Sequence, residues 1–359
     1  MEENKMIINR LPMKTWNRLN VNHKIVTLAS ALKEAAADIK TTGAFTSVSA
    51  DPAFDGIESG MGPDFDRFVS ENAPATATYE IAADTKDNTI VITIDYDTLP
   101  ALTDASYANV YRFIAREGSD LNILLDIRGT KPVCGITDVK ILAEANTNVT
   151  LVEAKRLSDD VLYYGNNGTD FGENANFQLV HVTFSGKAVY EGATTRLTGA
   201  KSTARYDIGY VSGSDADIDQ NYLVRFVGKD TTGDIVSNGV LCGTSRKNFR
   251  GTIDFIRGCA GAAGAEKEDV LLMDDTVVNL TSPLILCGEE DVDGEHGATL
   301  GRLAEDILFY LEARGVAKED AYKMVADGRM ASVIRHIPQS VLRDELLSLV
   351  SEEETFIEA

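Results

Sequence analysis

The chain is poor in the residues that most site chemistry draws on. Its 359 residues include four cysteines, four histidines and one tryptophan. Cys134, Cys242, Cys259 and Cys287 are widely spaced and form no CxxC pair, which argues against a zinc ribbon or a redox dithiol. Neither a GxSxG elbow nor an HExxH motif is present, so no hydrolase nucleophile or zincin site is expected. Basic charge is scarce as well: 34 Lys and Arg stand against 56 Asp and Glu, a formal net charge of -22. A chain so acidic repels nucleic acid and anionic membranes, and neither is expected as a partner. No apolar run approaches the roughly 20 residues needed to span a bilayer. The opening MEENKMIINRLPMKTW lacks the apolar core of a signal peptide. A cytoplasmic location with free thiols is the expectation.

What is there divides into three stretches: 1–75, 76–290 and 291–359. In the first, Ile25, Leu28, Leu32 and Ala35 recur at helical spacing, which predicts a helix, with Trp16 anchoring the segment to the body. Residues 41–75, with ADPAFDGIESGMGPDFD, are rich in Gly, Pro and Asp and read as a mobile acidic connection. The second stretch is a succession of short β-branched and aromatic runs, such as NTIVITIDY, LNILLDIRG, NVTLVEAKR, FQLVHVTFSG and YLVRFVGKD, separated by Gly, Asn and Asp. Many strands without an amphipathic helix between them predict a sandwich, a barrel or a solenoid. Their loosely regular spacing favours a solenoid of stacked rungs. In the third stretch Leu303, Ile307, Leu308 and Leu311 form a stripe, with Gly315 placed as a C-terminal cap. KEDAYKMVADG and PQSVLRDELLSLV predict two further helices, and SEEETFIEA a frayed tail.

Nucleotide chemistry is not expected of this chain. In LTGAKSTARY, Ala200 separates Gly199 from Lys201, so the lysine cannot serve a phosphate-binding loop. Gly258 to Gly264 is a small-residue turn without a dinucleotide-binding context. His181 falls in an alternating strand and His336 before a proline, where structural roles suffice. GEHGATLG is different. Glycines around Glu295 and His296 suggest a tight turn presenting an imidazole and a carboxylate, a donor pair for iron or zinc. One histidine cannot close a metal site, and a subunit interface could complete it.

Three motifs in order, KNFRG, HGATLG (His296 to Gly301) and ILFYLEARGV, followed by DAYKMVADG, resemble the C-terminal signature of the SufB/SufD family. VLLMDDTVVNLTSPLIL resembles its last rungs, and LPMKTW with LNVN the opening of the SufD branch. The resemblance implies a right-handed parallel β-helix core with α-helical N-terminal and C-terminal regions. It also implies a non-enzymatic scaffold that assembles iron-sulfur clusters with a SufC-type ATPase and either a SufB paralogue or a second copy of itself. The cluster would be transient, at the subunit interface, and this chain would bind no nucleotide. His296 is then the candidate metal ligand, with Glu295 beside it, while Phe309, Tyr310, Glu312 and Arg314 are candidates for contacting the ATPase. Gly297 and Gly301 fit the SufD branch. Gly294 stands where many SufD sequences have cysteine, and Glu268 near the position of the SufB scaffold cysteine, so thiolates would have to come from the partner. The alternatives are a SufB-like homodimer working with the ATPase, and a carbohydrate-binding β-solenoid.

Overall fold

The computed structural model describes residues 3–15, 17–49, 52–102 and 104–351. Between Ala77 and Gly301 the chain winds as a parallel β-solenoid of about seven turns. Successive strands alternate between two sheets. One sheet runs from Ala77–Ile81 to Val278–Cys287, and the other from Asn88–Asp95 to Val292–Gly301. Each strand therefore pairs with the strand one turn earlier and one turn later, as in Asn148↔Asn176 and Asn176↔Thr203.

The coil is set by its corners. Gly118, Asn146, Asn174, Lys201, Asp230 and Gly261 all have positive φ, spaced 28, 28, 27, 29 and 31 residues apart. Gly, Asn and Asp tolerate this left-handed conformation best, and they hold five of the six places. Each corner amide donates to a carbonyl of the next turn, as Asn146 N does to Glu173 O and Asn174 N to Ala200 O. Beside them a side-chain ladder climbs the coil: Thr203 Oγ1 donates to Asn176 Oδ1 at 2.7 Å, Asn176 Nδ2 to Asn148 Oδ1 at 2.9 Å, and Asn148 Nδ2 to Asp120 Oδ1 at 2.7 Å. Side chains on alternate positions fill the space between the sheets, where Ile123, Leu151, Leu179, Tyr206 and Ile235 form a continuous column.

The two ends differ. At the first turns, Phe45–Val48 pairs antiparallel with Ala77–Ile81 and Asp38–Thr42 antiparallel with Asn88–Asp95. At the last turn, Val278–Cys287 and Val292–Gly301 pair on one side only among the described residues. The second of these strands is exposed almost throughout.

Several expectations are corrected. The helix expected before residue 40 is a set of strands: Glu3–Ile8 and Lys24–Ala29 form an antiparallel hairpin, followed by Ala31–Glu34 and Asp38–Thr42. KIVTLA reads equally as an alternating strand, with Val26 and Leu28 buried, and pairing with ENKMII decides it. Trp16 and the tail 352–359 lie outside the described residues. The segment expected as a mobile connection holds the end of Asp38–Thr42, the strand Phe45–Val48 and helix α1 (Pro63–Asn72), whose Phe65, Phe68 and Val69 are buried against the first sheet. The solenoid also continues past residue 290, to Gly301.

Three helices follow: α2 (Glu305–Glu312), α3 (Lys318–Ile334) and α4 (Ser340–Ser351). Tyr322, Ala326, Met330, Val333 and Ile334 of α3 and Leu342 and Leu346 of α4 cover Val152, Val180, Val182 and Val240 on the outer face of the second sheet. Gly209 permits this approach, since a Cβ there would stand 3.2 Å from the Val333 Cβ. On α3 Ala321 is buried, while Met324 is 58% exposed. Of the α2 stripe, Leu303, Leu308 and Leu311 are half-buried, Leu303 against the cluster under α3 and α4, while Ile307 is exposed. No residue of the helix is fully buried, and Phe309 and Tyr310 are open to solvent.

Candidate functional site at the open end of the solenoid

KNFRGTIDF forms the strand Arg246–Phe255, whose alternation gives each motif residue a place. Lys247 and Phe249 point between the sheets; Asn248 and Arg250 point out. Arg250, fully buried, is bonded to Asp219 at 2.7 Å and to the Val21 carbonyl, tying the N-terminal region to the coil. Lys247 is also fully buried; its ammonium binds Glu268 and donates to Thr281 Oγ1 at 3.1 Å.

GEHGATLG lies in the final strand, Val292–Gly301, and not in the tight turn expected. Its register with Ala262–Leu272 sets His296 beside Glu266 and Ala298 beside Glu268. Val292 packs on the inner core, and a Cβ on Gly294 would meet Phe255 and Ile285. By alternation His296 therefore faces the open end of the space between the sheets. Glu295, one residue away in extended chain, faces the opposite side, so the expected pairing of the two is not made.

Glu266 is the residue that sequence reasoning missed. It is 2% exposed, and neither carboxylate oxygen has a hydrogen-bond partner. Burial, and then the neighbouring Glu268 charge, push its carboxyl up to about 8, against the pull of Lys247. Gly251 makes its room: a Cβ there would stand 2.7 Å from Glu266 Cγ.

Deeper in the coil lies a second polar group. Glu153, His181 and Glu191 offer ligand atoms within 4.8 Å of one another, all fully buried. His181 Nε2 is 3.0 Å from Glu153 Oε2, and its Nδ1 is 3.0 Å from the Tyr222 hydroxyl. Burial alone would raise the Glu153 carboxyl. The charges of His181 and Lys155, with hydrogen bonds from His181 and Asn167, outweigh it and bring it down to about 2. Glu191 is lowered for the same reasons, with Gln220 donating to it at 3.0 Å. The Lys155 ammonium bonds both carboxylates. With that ammonium against both carboxylates, the group is a buried charge network.

The thiols are dispersed. Cys259 is buried and Cys134 and Cys242 are half-buried, while Cys287, at the end of Val278–Cys287, is exposed. Burial pushes the Cys134 and Cys242 thiols up to about 11. A cluster that needs several thiolates would find one exposed thiol on the last turn. On α2, Phe309 is 74% and Tyr310 55% exposed, and the Arg314 guanidinium lies 3.7 Å over the Tyr310 ring. Glu312 is exposed beside them.

These features define a β-solenoid with an unpaired terminal turn and a partly unburied helical module. Residues 102–329 match the family described as SUF system FeS cluster assembly, SufBD core domain. The chain belongs to this SufBD family of iron-sulfur cluster assembly proteins. It is similar to the iron-sulfur cluster assembly protein SufD of Bacillus subtilis, 26% identical over 215 residues, covering 59% of this chain and 48% of that protein. It is also similar to a SufBD family protein of Synechocystis, 26% identical over 180 residues, covering 50% of this chain and 38% of that protein. A Mycobacterium leprae family protein is 28% identical over 167 residues, covering 46% of this chain and 16% of its own length. The chain thus spans less than half the length of each of these three relatives. No helix among the described residues is long and apolar enough to cross a membrane.

Proposed function

We propose that this chain is a SufD-like, non-enzymatic scaffold subunit acting in the cytoplasm. It works with a SufC-type ATPase and with a SufB paralogue, or with a second copy of itself. The observation that carries the reading is the terminal turn. Among the described residues two neighbouring strands end the coil with unpaired edges, and such edges invite pairing with another chain. His296 faces into the opening they frame. The nascent cluster is cargo held transiently there, with His296 as this chain's ligand and the partner as the source of thiolates. The single exposed cysteine of the last turn supports that division.

The exposed apolar face of α2 supports the other half of the reading. Phe309 and Tyr310, flanked by Glu312 and Arg314, are the contacts offered to the ATPase. α3 and α4 are packed on the coil, so force applied at α2 passes to the sheet that ends in His296. Co-expression with a SufB paralogue and a SufC-type ATPase tests this. The wild-type chain is expected to co-purify with both, and His296→Ala to keep the complex and lose cluster content. Unchanged cluster content refutes the ligand role, and failure to bind the ATPase refutes the scaffold assignment. A complex formed with the ATPase alone, containing two copies of this chain, assigns the SufB-like homodimer instead.

A further inference from the structure

We propose that Glu266, and not Glu295, is the carboxylate that joins His296 in holding a divalent transition-metal cation at the open end of the solenoid. The inference rests on the reading of His296 as a ligand and adds the second donor. Glu266 and His296 are paired in register on adjacent parallel strands, and neighbouring strands lie about 4.8 Å apart. Paired residues of a parallel sheet project to the same side, so imidazole and carboxylate lean into the same opening. Glu295 pairs with Ala265 and projects to the other side.

Glu266 is nine-tenths buried and more, yet both its oxygens lack a donor. A buried acceptor left unpaired costs free energy that a bound cation would recover. The Lys247 ammonium nearby is already engaged, bonded to Glu268 and Thr281. On the opposite wall Asn279, in register with Lys247, also has amide oxygen and nitrogen atoms without partners. The glycine at 251 holds space open for the carboxylate where any side chain would press on it. One imidazole nitrogen with carboxylate oxygen suits a borderline divalent ion such as ferrous iron or cobalt(II), leaving positions for a partner's donors.

The test uses the full chain with cobalt(II) as the probe, read by its visible absorption and by calorimetry. Glu266→Gln keeps the shape of the side chain and removes its charge. It is expected to weaken cobalt(II) binding at least tenfold, as is His296→Ala, whereas Glu295→Gln stays within twofold of wild type. Melting curves of the three variants check that the coil is intact. Loss of binding in His296→Ala with none in Glu266→Gln overturns this inference and leaves the ligand role of His296 standing. A larger loss in Glu295→Gln than in Glu266→Gln overturns it too. Retained binding in His296→Ala, or none in the wild type, removes both.

Discussion

Replacing Lys155 by Met strips the buried Glu153–His181–Glu191 group of its fixed cation. Lys155 Nζ lies 3.4 Å from Glu153 Oε2 and bonds Glu191 as well, with all three side chains fully buried. Breaking a buried pair by removing one partner costs about 3–5 kcal/mol, because the other charge stays behind. The Glu153 carboxyl gives a figure for the whole group, in which burial is outweighed by His181 first and Lys155 second. Glu153 is held at about 2 against an ordinary 4.5, and at 1.36 kcal/mol per pH step that is about 3 kcal/mol of stability at neutral pH. The sign follows from the depressed value. This stability is complete above pH 4.5 and is lost as pH falls toward 2. For a cooperative chain of 359 residues, a loss of 3–5 kcal/mol lowers the melting temperature by about 4–7 °C, taking roughly 2.1 cal/mol/K of unfolding entropy per residue.

Scanning calorimetry and circular dichroism from pH 3 to 8 measure both effects. Lys155→Met is expected to melt earlier at pH 7 and to lose stability to acid at a higher pH than wild type. Adding Glu191→Gln removes the uncompensated carboxylate and recovers most of the loss. A Lys155→Met variant that melts with wild type and shares its acid limb refutes the account of the group as a charge network. A double variant no better than the single one does the same.

Four further outcomes follow from the packing. Gly251→Ala forces Glu266 aside and is expected to cost about 1–3 kcal/mol in urea unfolding, most of it recovered when Glu266→Ala is added. Asn148→Ala breaks the ladder between Asp120 and Asn176 and is expected to cost about 1 kcal/mol, read by the urea midpoint at constant slope. Phe309→Glu, at a side chain 74% exposed, is expected to leave melting within about 1 °C while binding to the ATPase falls at least tenfold in calorimetry. Iodoacetamide at pH 8 is expected to label exposed Cys287 before Cys134 and Cys242, whose thiols burial holds near 11; peptide mass spectrometry gives the order.

The strands of the coil were legible because each carries its own pattern. LNILLDIRG and NVTLVEAKR alternate or run apolar between polar corners, and both are strands in the structure. The repeat itself was hidden. Its period drifts between 27 and 31 residues, and its corners accept glycine, asparagine, lysine or aspartate provided φ is positive. In the N-terminal region the cause is the opposite: Ile25, Leu28 and Leu32 fit a helical period, and it is pairing with Glu3–Ile8 for the first two and with Ala105–Ala115 for Leu32 that selects strands. The apolar residues of α2 are a different case: Leu303, Leu308 and Leu311 are half-buried, while among the described residues nothing covers Phe309 and Tyr310.

The site shows where strand alternation carries further than motif spacing. GEHGATLG placed Glu295 next to His296 in sequence, and adjacency in an extended chain separates side chains by the full width of the strand. The useful signal lay in AAGAEKEDVLL. Ala262, Gly264, Glu266, Glu268 and Val270 share one face, and Ala262 and Val270 belong to the inner core. Two carboxylates on that face must be inside, and the lysine that reaches them, Lys247 of KNFRG, is bonded to Glu268 alone. The other, Glu266, is left facing the last turn with its oxygens unpaired. A cation and a second chain, as proposed, would supply the partners those oxygens lack.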